Sequence, residues 1–169
     1  AEIICRYRIE FIEKLNNKIK KIHSEVTENK EKLEIKYITE CENKENYLSL
    51  LKQRRKLDII KGFTTKGIHR DDFKCFINDK EIEIYGSQGQ HRTAILSLKL
   101  AELYVIYDEI GEYPILLLDD FMSELDEKRR KSFLSYIKDT QVIITCTDKM
   151  ELDNIKLFNV INGEICKII

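Results

Sequence analysis

The chain has 169 residues, 43% of them hydrophobic, which is enough for one buried core and favours a single globular unit. Its longest purely aliphatic run, residues 115–118, is far too short to cross a bilayer, so we expect a cytoplasmic protein without a membrane partner. The five cysteines are scattered without metal-ligand spacing, and we expect them to be reduced.

Charge is distributed unevenly although the net charge is only -1. Residues 1–61 carry 15 basic and 11 acidic side chains, whereas residues 62–169 carry 14 and 19. This asymmetry predicts two parts with different tasks, a mainly helical arm over residues 1–61 and an α/β part over residues 62–169. Because the chain starts without Met and enters a helical pattern at once, we expect it to be a fragment.

The arm contains three predicted elements. Apolar residues at steps of three and four predict a long helix over residues 4–26 with one lysine-rich side. Alternating residues 33–38 indicate a half-buried strand, and residues 46–61 a second, charged helix.

The α/β part begins with two β-like runs, 73–77 and 81–85, which predict a hairpin around a short polar turn. A loop over residues 86–90 precedes a long apolar helix that ends near Gly111. The aliphatic residues 115–118 are typical of a strand buried on both faces of a parallel sheet. A basic helix over 126–138, a strand over 141–145 and a hairpin turning at Asn162 and Gly163 complete the pattern.

Two acids, Asp119 and Asp120, follow the predicted buried strand directly. Ligands of open α/β sheets bind at the carboxyl ends of strands, where one carboxylate can hold Mg²⁺ and its neighbour can orient an attacking water. The alternative is a pair of solvent-exposed acids that merely open a loop.

The loop over residues 86–90 has the composition of an anion site at a helix start. Ser87 can cap the helix and reach a phosphate oxygen, Gly89 permits close backbone approach, and Gln90 can donate from its amide. An ordinary capped turn is the alternative.

These features occur in a demanding order: the Ser-x-Gly-Gln helix start, one helix length, the acid-ended strand, and then residues 123–126, Ser-Glu-Leu-Asp. That is the order of the signature, Walker B and D-loop elements of ABC-type ATPases. The amino-acid sequence of residues 85–93, 98–102 and 112–120 resembles that of the RecF family, a relative of SMC heads. The arm resembles the family less distinctively.

The resemblance implies an α/β fold, the C-terminal part of an ABC-type (P-loop NTPase-like) ATPase head with an appended helical arm. ATP and Mg²⁺ would be the cofactors of the full-length dimer. Asp119 would be the metal-site acid and Asp120 the hydrolytic acid. The residues implied at the nucleotide across the dimer and at the dimer seam are Ser87, Gly89, Gln90, Ser123 and Asp126.

The family function implied is that of a DNA repair and recombination mediator that dimerises on ATP, binds duplex DNA and gap junctions, and hydrolyses ATP slowly. RecR and RecO would be its partners, and RecA loading at single-stranded gaps its outcome. An SMC-like architectural head with vestigial hydrolysis is one alternative, and a Mg²⁺-dependent nuclease using both acids is another. Thr145 to Thr147 stand where many ABC heads carry a switch His, which favours slow turnover.

The chain departs from the family pattern at the P-loop and next to the signature residues. Only Gly62 and Gly67 have P-loop spacing, but Ile68 and His69 follow where Lys and Ser or Thr are required, so the chain alone is expected not to hydrolyse ATP. His91 replaces a common Gln of the family.

Residues 67–72 match a family motif with Ile for Pro, for which we predict an internal pair between Arg70 and an Asp. A metal-ligand role for His23 on the arm helix is not favoured. Three basic clusters are candidate DNA contacts, with a solvated helix face as the alternative for each: residues 18–21, 52–56 and 128–131.

Overall fold

The long first helix, α1 (Glu2–Val26), forms a base that contacts a second long helix, a strand and the last helix that the structure describes. The computed structural model describes residues 1–40, 43–120, 125–147 and 155–168. The buried side of α1, which includes Leu15, Ile19 and Ile22, packs against α4 (Gln88–Ile110), the second long helix. Both helices contribute to one hydrophobic core, so the sequence prediction of an amphipathic first helix is confirmed.

An antiparallel sheet of strand order β1-β2-β3 adjoins α1. Strand β1 (Leu33–Ile38) pairs with β2 (Asp72–Ile77), and Leu33 lies opposite Ile77. The polar turn at Asn78 and Asp79 has left-handed φ angles of 48° and 66°, as a tight hairpin requires. The predicted hairpin is confirmed at this turn, although β3 (Lys80–Glu81) is only two residues long.

The predicted strand over residues 81–85 is wrong beyond Glu81. The chain forms a short helix instead, α3 (Ile82–Tyr85), in which Ile82 is buried while Ile84 and Tyr85 are exposed. The helical turn closes because Gly86 donates its N–H to the Ile82 carbonyl at 2.8 Å. A Cβ at Gly86 would lie 2.5 Å from Ile82 side-chain and backbone atoms, so this close approach requires glycine.

Helix α2 (Lys44–Lys61) projects from this base and has no buried side chain among those described. Asn43 caps it by accepting the Asn46 N–H at 2.9 Å, and Gly62 ends it with φ 74°. Gly67 is buried with φ 141° and leads into a 3-10 helix (Ile68–Arg70). The glycines with P-loop spacing therefore end a helix and shape a turn, in agreement with the rejection of a P-loop here.

The motif over residues 67–72 organises a buried carboxylate. The Asp71 side chain, 3% exposed, pairs with Arg8 of α1 at 3.4 Å and accepts hydrogen bonds from Tyr37 and Thr39. Burial and the bond to Asp71 raise the pKa of Tyr37 to about 12. The predicted pair between Arg70 and an Asp is wrong: Arg70 lies over the Phe63 ring, and the arginine that reaches Asp71 comes from α1.

Strands β4 (Leu116–Leu118) and β5 (Val142–Ile144) form a parallel pair, with α5 (Glu127–Tyr136) between them in the chain. Parallel pairing and the intervening helix confirm the predicted α/β order. Burial on both faces is wrong for this chain, because Leu117 is 69% exposed and Ile143 54% exposed. Leu118 and the α5 residue Phe133 are buried on the other face.

The last elements are β6 (Leu157–Ile161) and β7 (Glu164–Ile168), an antiparallel hairpin. Asn162 and Gly163 have positive φ angles of 52° and 83°, which confirms the predicted turn. No helix in the described ranges is long and apolar enough to cross a membrane. The boundary between residues 61 and 62 stays a prediction, although α1 and β1 share the core of the α/β part.

Candidate nucleotide site

The signature loop, residues 86–90, starts α4 with a capping box. The Ser87 hydroxyl oxygen accepts the backbone N–H of Gln90 at 3.2 Å, and the side-chain oxygen Oε1 of Gln90 accepts the backbone N–H of Ser87 at 2.9 Å. Ser87 itself is exposed, and its hydroxyl hydrogen is not used by the cap. The free end of a 23-residue helix is thus presented beside a hydroxyl donor, an arrangement that favours an anion.

Gly89 differs from Gly86 although both lie in the same loop. A Cβ at Gly89 would lie 3.9 Å from Ser87 Oγ and 4.0 Å from Arg129 Nη2, which are ordinary contacts. Its helical backbone does not require glycine either. Since the fold leaves room for a side chain here, the absence of one keeps the surface open to a molecule approaching from outside.

The start of α5 lies next to this loop. Asp126 caps α5 by accepting the Arg129 N–H at 2.9 Å, and the Arg129 guanidinium also pairs with it. The backbone hydrogen bond from Arg129, followed by its side-chain bond, lowers the pKa of Asp126. The Arg129 guanidinium therefore pairs with Asp126 and also lies near Gly89, at the start of α4.

The two predicted acids end β4 and are both exposed. Parallel pairing carries β5 to the same edge, where Thr145 donates its N–H to the Leu118 carbonyl at 2.9 Å. The Thr145 hydroxyl donates to Asp119 Oδ1 at 2.5 Å and accepts the Asp120 N–H at 3.0 Å. Asp120 has a left-handed φ of 45°, so the chain turns sharply directly after the strand.

An open groove of about 320 Å³ runs beside these acids between α4 and β4. Asp119 is one of its lining residues, together with Ile95 and Lys99 of α4. No cluster of three or more His, Cys, Asp or Glu side chains suited to a metal is present in the residues that the structure describes. A cation at Asp119 would need further ligands from water or nucleotide.

The structure brings the predicted site residues into two groups. Ser87, Gly89 and Gln90 lie in one helical turn beside Asp126, while Asp119 and Asp120 share the Thr145 hydroxyl. Ser123 lies outside the described residues.

Sequence reasoning missed the partners of Gln90. Its side-chain nitrogen donates to Glu31 Oε1 at 2.9 Å, and Glu31 also approaches His23. His23 is fully buried against Ser97 rather than part of a metal cluster in the described residues. Its spacing from Ile19 along α1 was the available signal, because that position falls on the buried side of the helix.

The three basic clusters differ in how their charges are compensated. On α5, Lys128 pairs with Glu28, Arg129 with Asp126 and Lys131 with Glu127. In the α1 cluster, Lys18 pairs with Asp108 and Lys20 with Glu34.

The cluster on α2 is different. Its four members, Lys52, Arg54, Arg55 and Lys56, are all exposed. None lies within ion-pair distance of an acid in the described residues, although the charge of Arg54 acts on Asp58 one turn further along the helix.

Comparison with known proteins gives a consistent result. The chain is 46% identical over 174 residues to the DNA replication and repair protein RecF of Clostridium perfringens, and 47% identical over 175 residues to that of Clostridium beijerinckii. Each match covers 98% of this chain and 48% of the relative, so the chain spans about half the length of the curated relatives it matches. No protein-family model matches it.

A solved structure, described as the recombination mediator protein RecF-ATP in the RecFOR pathway, superposes with a TM-score of 0.84 at 38% identity. The superposition covers 98% of this chain and 46% of that one. It confirms the predicted α/β fold of ABC type. Over nearly its whole length this chain therefore belongs to the RecF family, of whose curated members it spans about half.

Proposed function

We propose that this chain supplies the signature loop and the acid pair of an ATP-dependent, RecF-type DNA repair ATPase. The observation that carries the proposal is the exposed, capped start of α4, where Ser87 keeps a free hydroxyl hydrogen and Gly89 keeps an open surface. Relatives named DNA replication and repair proteins and a solved RecF-ATP structure support it. Residues 1–61 would act as the arm and residues 62–169 as part of the head.

In this proposal the signature loop works across a homodimer that forms on ATP. Ser87, Gly89 and Gln90 contact the γ-phosphate of nucleotide bound to the opposite subunit, since the helix end and its hydroxyl favour negative charge. Asp126 and Ser123 lie along the dimer seam. The position of Asp126 at the start of α5, where its partner Arg129 lies near Gly89 of the loop, supports this assignment.

Asp119 is the proposed magnesium-site acid. Its exposed carboxylate is a hard oxygen ligand held by Thr145, and water and nucleotide oxygens would complete the shell. Mg²⁺, when bound, would neutralise charge on the phosphates. Asp120 would orient the attacking water and accept its proton, helped by a backbone held through Thr145.

The proposed cellular role is that of a cytoplasmic recombination mediator. It would bind duplex DNA and gap junctions through basic side chains, act with RecR and RecO, and support RecA loading. The related solved structure is of RecF in the RecFOR pathway, which supports the partner assignment. The exposed basic cluster on α2 supports the DNA assignment.

One observation favours the alternative of an architectural head with vestigial hydrolysis. Residues 145–147 stand where many ABC heads carry a switch His, so the switch is either a hydroxyl or absent, and the hydroxyl hydrogen of Thr145 is already donated to Asp119. In the full-length protein, Asp120→Asn separates the two readings. If Asp120 orients water, the variant accumulates ATP-bound dimers and loses turnover; an architectural head shows negligible turnover before and after the change.

The proposal is tested by Ser87→Arg in a full-length protein that carries this segment. A bulky cation at the exposed loop should block ATP-driven dimerisation, measured by sedimentation, while nucleotide binding to each monomer is retained. Arg92→Ala, on the same helix but outside the loop, is the control for a change at the α4 surface. Loss of monomer nucleotide binding in Ser87→Arg would contradict the assignment across the interface.

A further inference from the structure

Three polar side chains are fully buried in the described part of the chain, and all three belong to one hydrogen-bonded path beneath the signature loop. They are His23 of α1 and Thr93 and Ser97 of α4. Buried polar groups are costly unless they are paired, so their concentration in one place requires an account.

The α4 branch of the path starts in the signature loop itself. Thr93 Oγ1 donates to the Gly89 carbonyl at 2.8 Å, and Ser97 Oγ donates to the Thr93 carbonyl at 2.9 Å. The Ser97 oxygen also lies 2.9 Å from His23 Nδ1. Because the single Ser97 hydrogen goes to Thr93, the proton of that second bond belongs to His23, which fixes its Nδ1–H tautomer.

The other branch returns to the loop through Glu31, which lies between α1 and β1. One Glu31 oxygen accepts Gln90 Nε2 at 2.9 Å, and the other lies 3.3 Å from His23 Nε2. His23 Nε2 has no hydrogen-bond partner among the described residues, so the approach of Glu31 to it is a close contact and not a hydrogen bond. The hydrogen bonds thus run from Gly89 of the signature loop to His23, and separately from Glu31 to Gln90, and the two branches meet at the contact between His23 and Glu31.

We propose that Glu31 is a positioning residue for the signature loop. Because Glu31 binds Nε2 of Gln90, the side-chain oxygen Oε1 of Gln90 faces the Ser87 N–H and completes the capping box. Ser87 is then presented with its hydroxyl outward. The inference rests on the proposed function, because positioning matters only if this loop closes on a nucleotide in a partner subunit.

The same contacts join the loop to the base of the arm. Glu31 follows the turn after α1, and Glu28 in that turn pairs with Lys128 of α5. Glu31 is only 22% exposed, so its bond to Gln90 is shielded from water. Hydrogen bonds to charged acceptors are among the stronger ones in proteins, and loss of this one is expected to weaken loop closure about tenfold.

The test uses Glu31→Ala and Glu31→Gln in a full-length protein that carries this segment. Glu31→Ala should raise the dissociation constant of the ATP-bound dimer about tenfold, with ATP affinity of the monomer unchanged. Glu31→Gln should dimerise like the parent, since its carbonyl accepts from Gln90 and its amide donates to His23 Nε2. Glu34→Ala, three residues on and facing solvent in ion pairs with Lys20 and Lys36, is the matched control.

A purely structural role predicts a different pattern, in which Glu31→Ala lowers the melting temperature while the folded protein dimerises normally. That result would overturn the inference. Gln90→Glu provides a second route if Glu31→Ala does not fold: it sets two carboxylates against each other and should weaken dimerisation. Adding Glu31→Gln removes this repulsion and supplies a donor to residue 90, so the double variant should dimerise more tightly than Gln90→Glu alone; no gain over Gln90→Glu also overturns the inference. If Ser87→Arg has no effect either, the proposed function fails, whereas an effect of Ser87→Arg alone removes only the role of Glu31.

Discussion

Thr145 Oγ1 lies 2.5 Å from Asp119 Oδ1, so a hydroxyl at the end of β5 holds the acid at the end of β4. The same oxygen accepts the Asp120 N–H, and one small side chain therefore orients two consecutive acids. In the parallel pair, Leu118 lies opposite Ile144. Asp119 and Thr145 are the next residues after these two strand ends, so they also lie side by side. The sheet register itself thus determines the geometry of the acid pair.

Thr145→Val tests this arrangement because valine keeps the shape and removes the hydroxyl. In the full-length protein the Mg²⁺ concentration for half-maximal ATP-driven dimerisation should rise about fivefold, since one net hydrogen bond contributes on the order of 1 kcal/mol. Thr145→Ser keeps the hydroxyl, serves as the control, and should resemble the parent. An unchanged Mg²⁺ requirement in Thr145→Val would mean that the hydroxyl does not hold Asp119 for a metal.

The two glycines of the signature loop should respond to alanine in opposite ways. Gly86→Ala places a Cβ 2.5 Å from Ile82 atoms and should lower the free energy of unfolding by about 1–3 kcal/mol. Gly89→Ala meets no close atom and should leave stability unchanged or raise it by up to about 1 kcal/mol. Urea denaturation measures both.

ATP-driven dimerisation is a second measurement that distinguishes Gly89→Ala from Gly86→Ala. Gly89→Ala should weaken it although the fold is intact, because the methyl group occupies the surface proposed to meet nucleotide. If Gly89→Ala dimerises as well as the parent, close backbone approach at this position is not used.

Burial lowers the pKa of His23, and the nearby negative charge of Glu31 opposes this shift. Glu31 is the charged group facing it, while α4 presents the neutral hydroxyls of Thr93 and Ser97. Below the unfolded-state value of 6.5 the unfolded chain binds a proton that the folded chain excludes, so stability should fall as pH drops below 6.5. The slope from one such group is at most about 1.4 kcal/mol per pH unit.

His23→Gln removes the titrating group and keeps a polar side chain. Its free energy of unfolding should depend less steeply on pH than that of the parent between about pH 6.5 and 5.5. Denaturant titrations at several pH values measure the slope, and His69→Gln is the control for loss of an exposed histidine. Equal slopes in His23→Gln and the parent would show that His23 accepts its proton readily in the folded protein.

Local chemistry explains why much of this fold was predictable. The capping residues Ser87 and Gln90, the left-handed cap at Gly111 and the turn at Asn162 are all specified by neighbours within four residues. The acid pair was predicted from one aliphatic run. Each of these depends on short-range geometry that one sequence contains.

The predictions that failed depend on contacts between distant residues. Exposure of Leu117 depends on what covers β4, whereas α3 is the local exception, a single turn that the Gly86 N–H closes on the Ile82 carbonyl four residues earlier. The bond between Glu31 and Gln90 spans 59 positions in the chain, and no local pattern indicates it. Arg8 was likewise not expected to reach Asp71, because a nearer arginine was available in the sequence.

The proposed DNA surface leads to a prediction about α2. Its four basic residues are exposed and form no ion pair with another described side chain, whereas the α5 cluster is compensated by Glu28, Asp126 and Glu127. Cations without an ion-pair partner can neutralise DNA phosphates directly and release the counterions condensed on them. In a dimer the two α2 helices would together present a larger positive surface than one chain.

Arg54→Glu with Arg55→Glu in the full-length protein should therefore weaken duplex binding and flatten its salt dependence. Each lost phosphate contact lowers the slope of log affinity against log salt by roughly 0.9, so two lost contacts lower it by about 1.8. Sequence preference should change little, because phosphate contacts position a protein without reading bases. ATP-driven dimerisation should remain, since α2 carries none of the proposed nucleotide residues. Lys128→Glu with Lys131→Glu is the matched charge reversal, and it should have the smaller effect on the slope because both lysines are already paired. A salt titration in which the α5 reversal flattens the slope more than the α2 reversal would place the DNA path on the head.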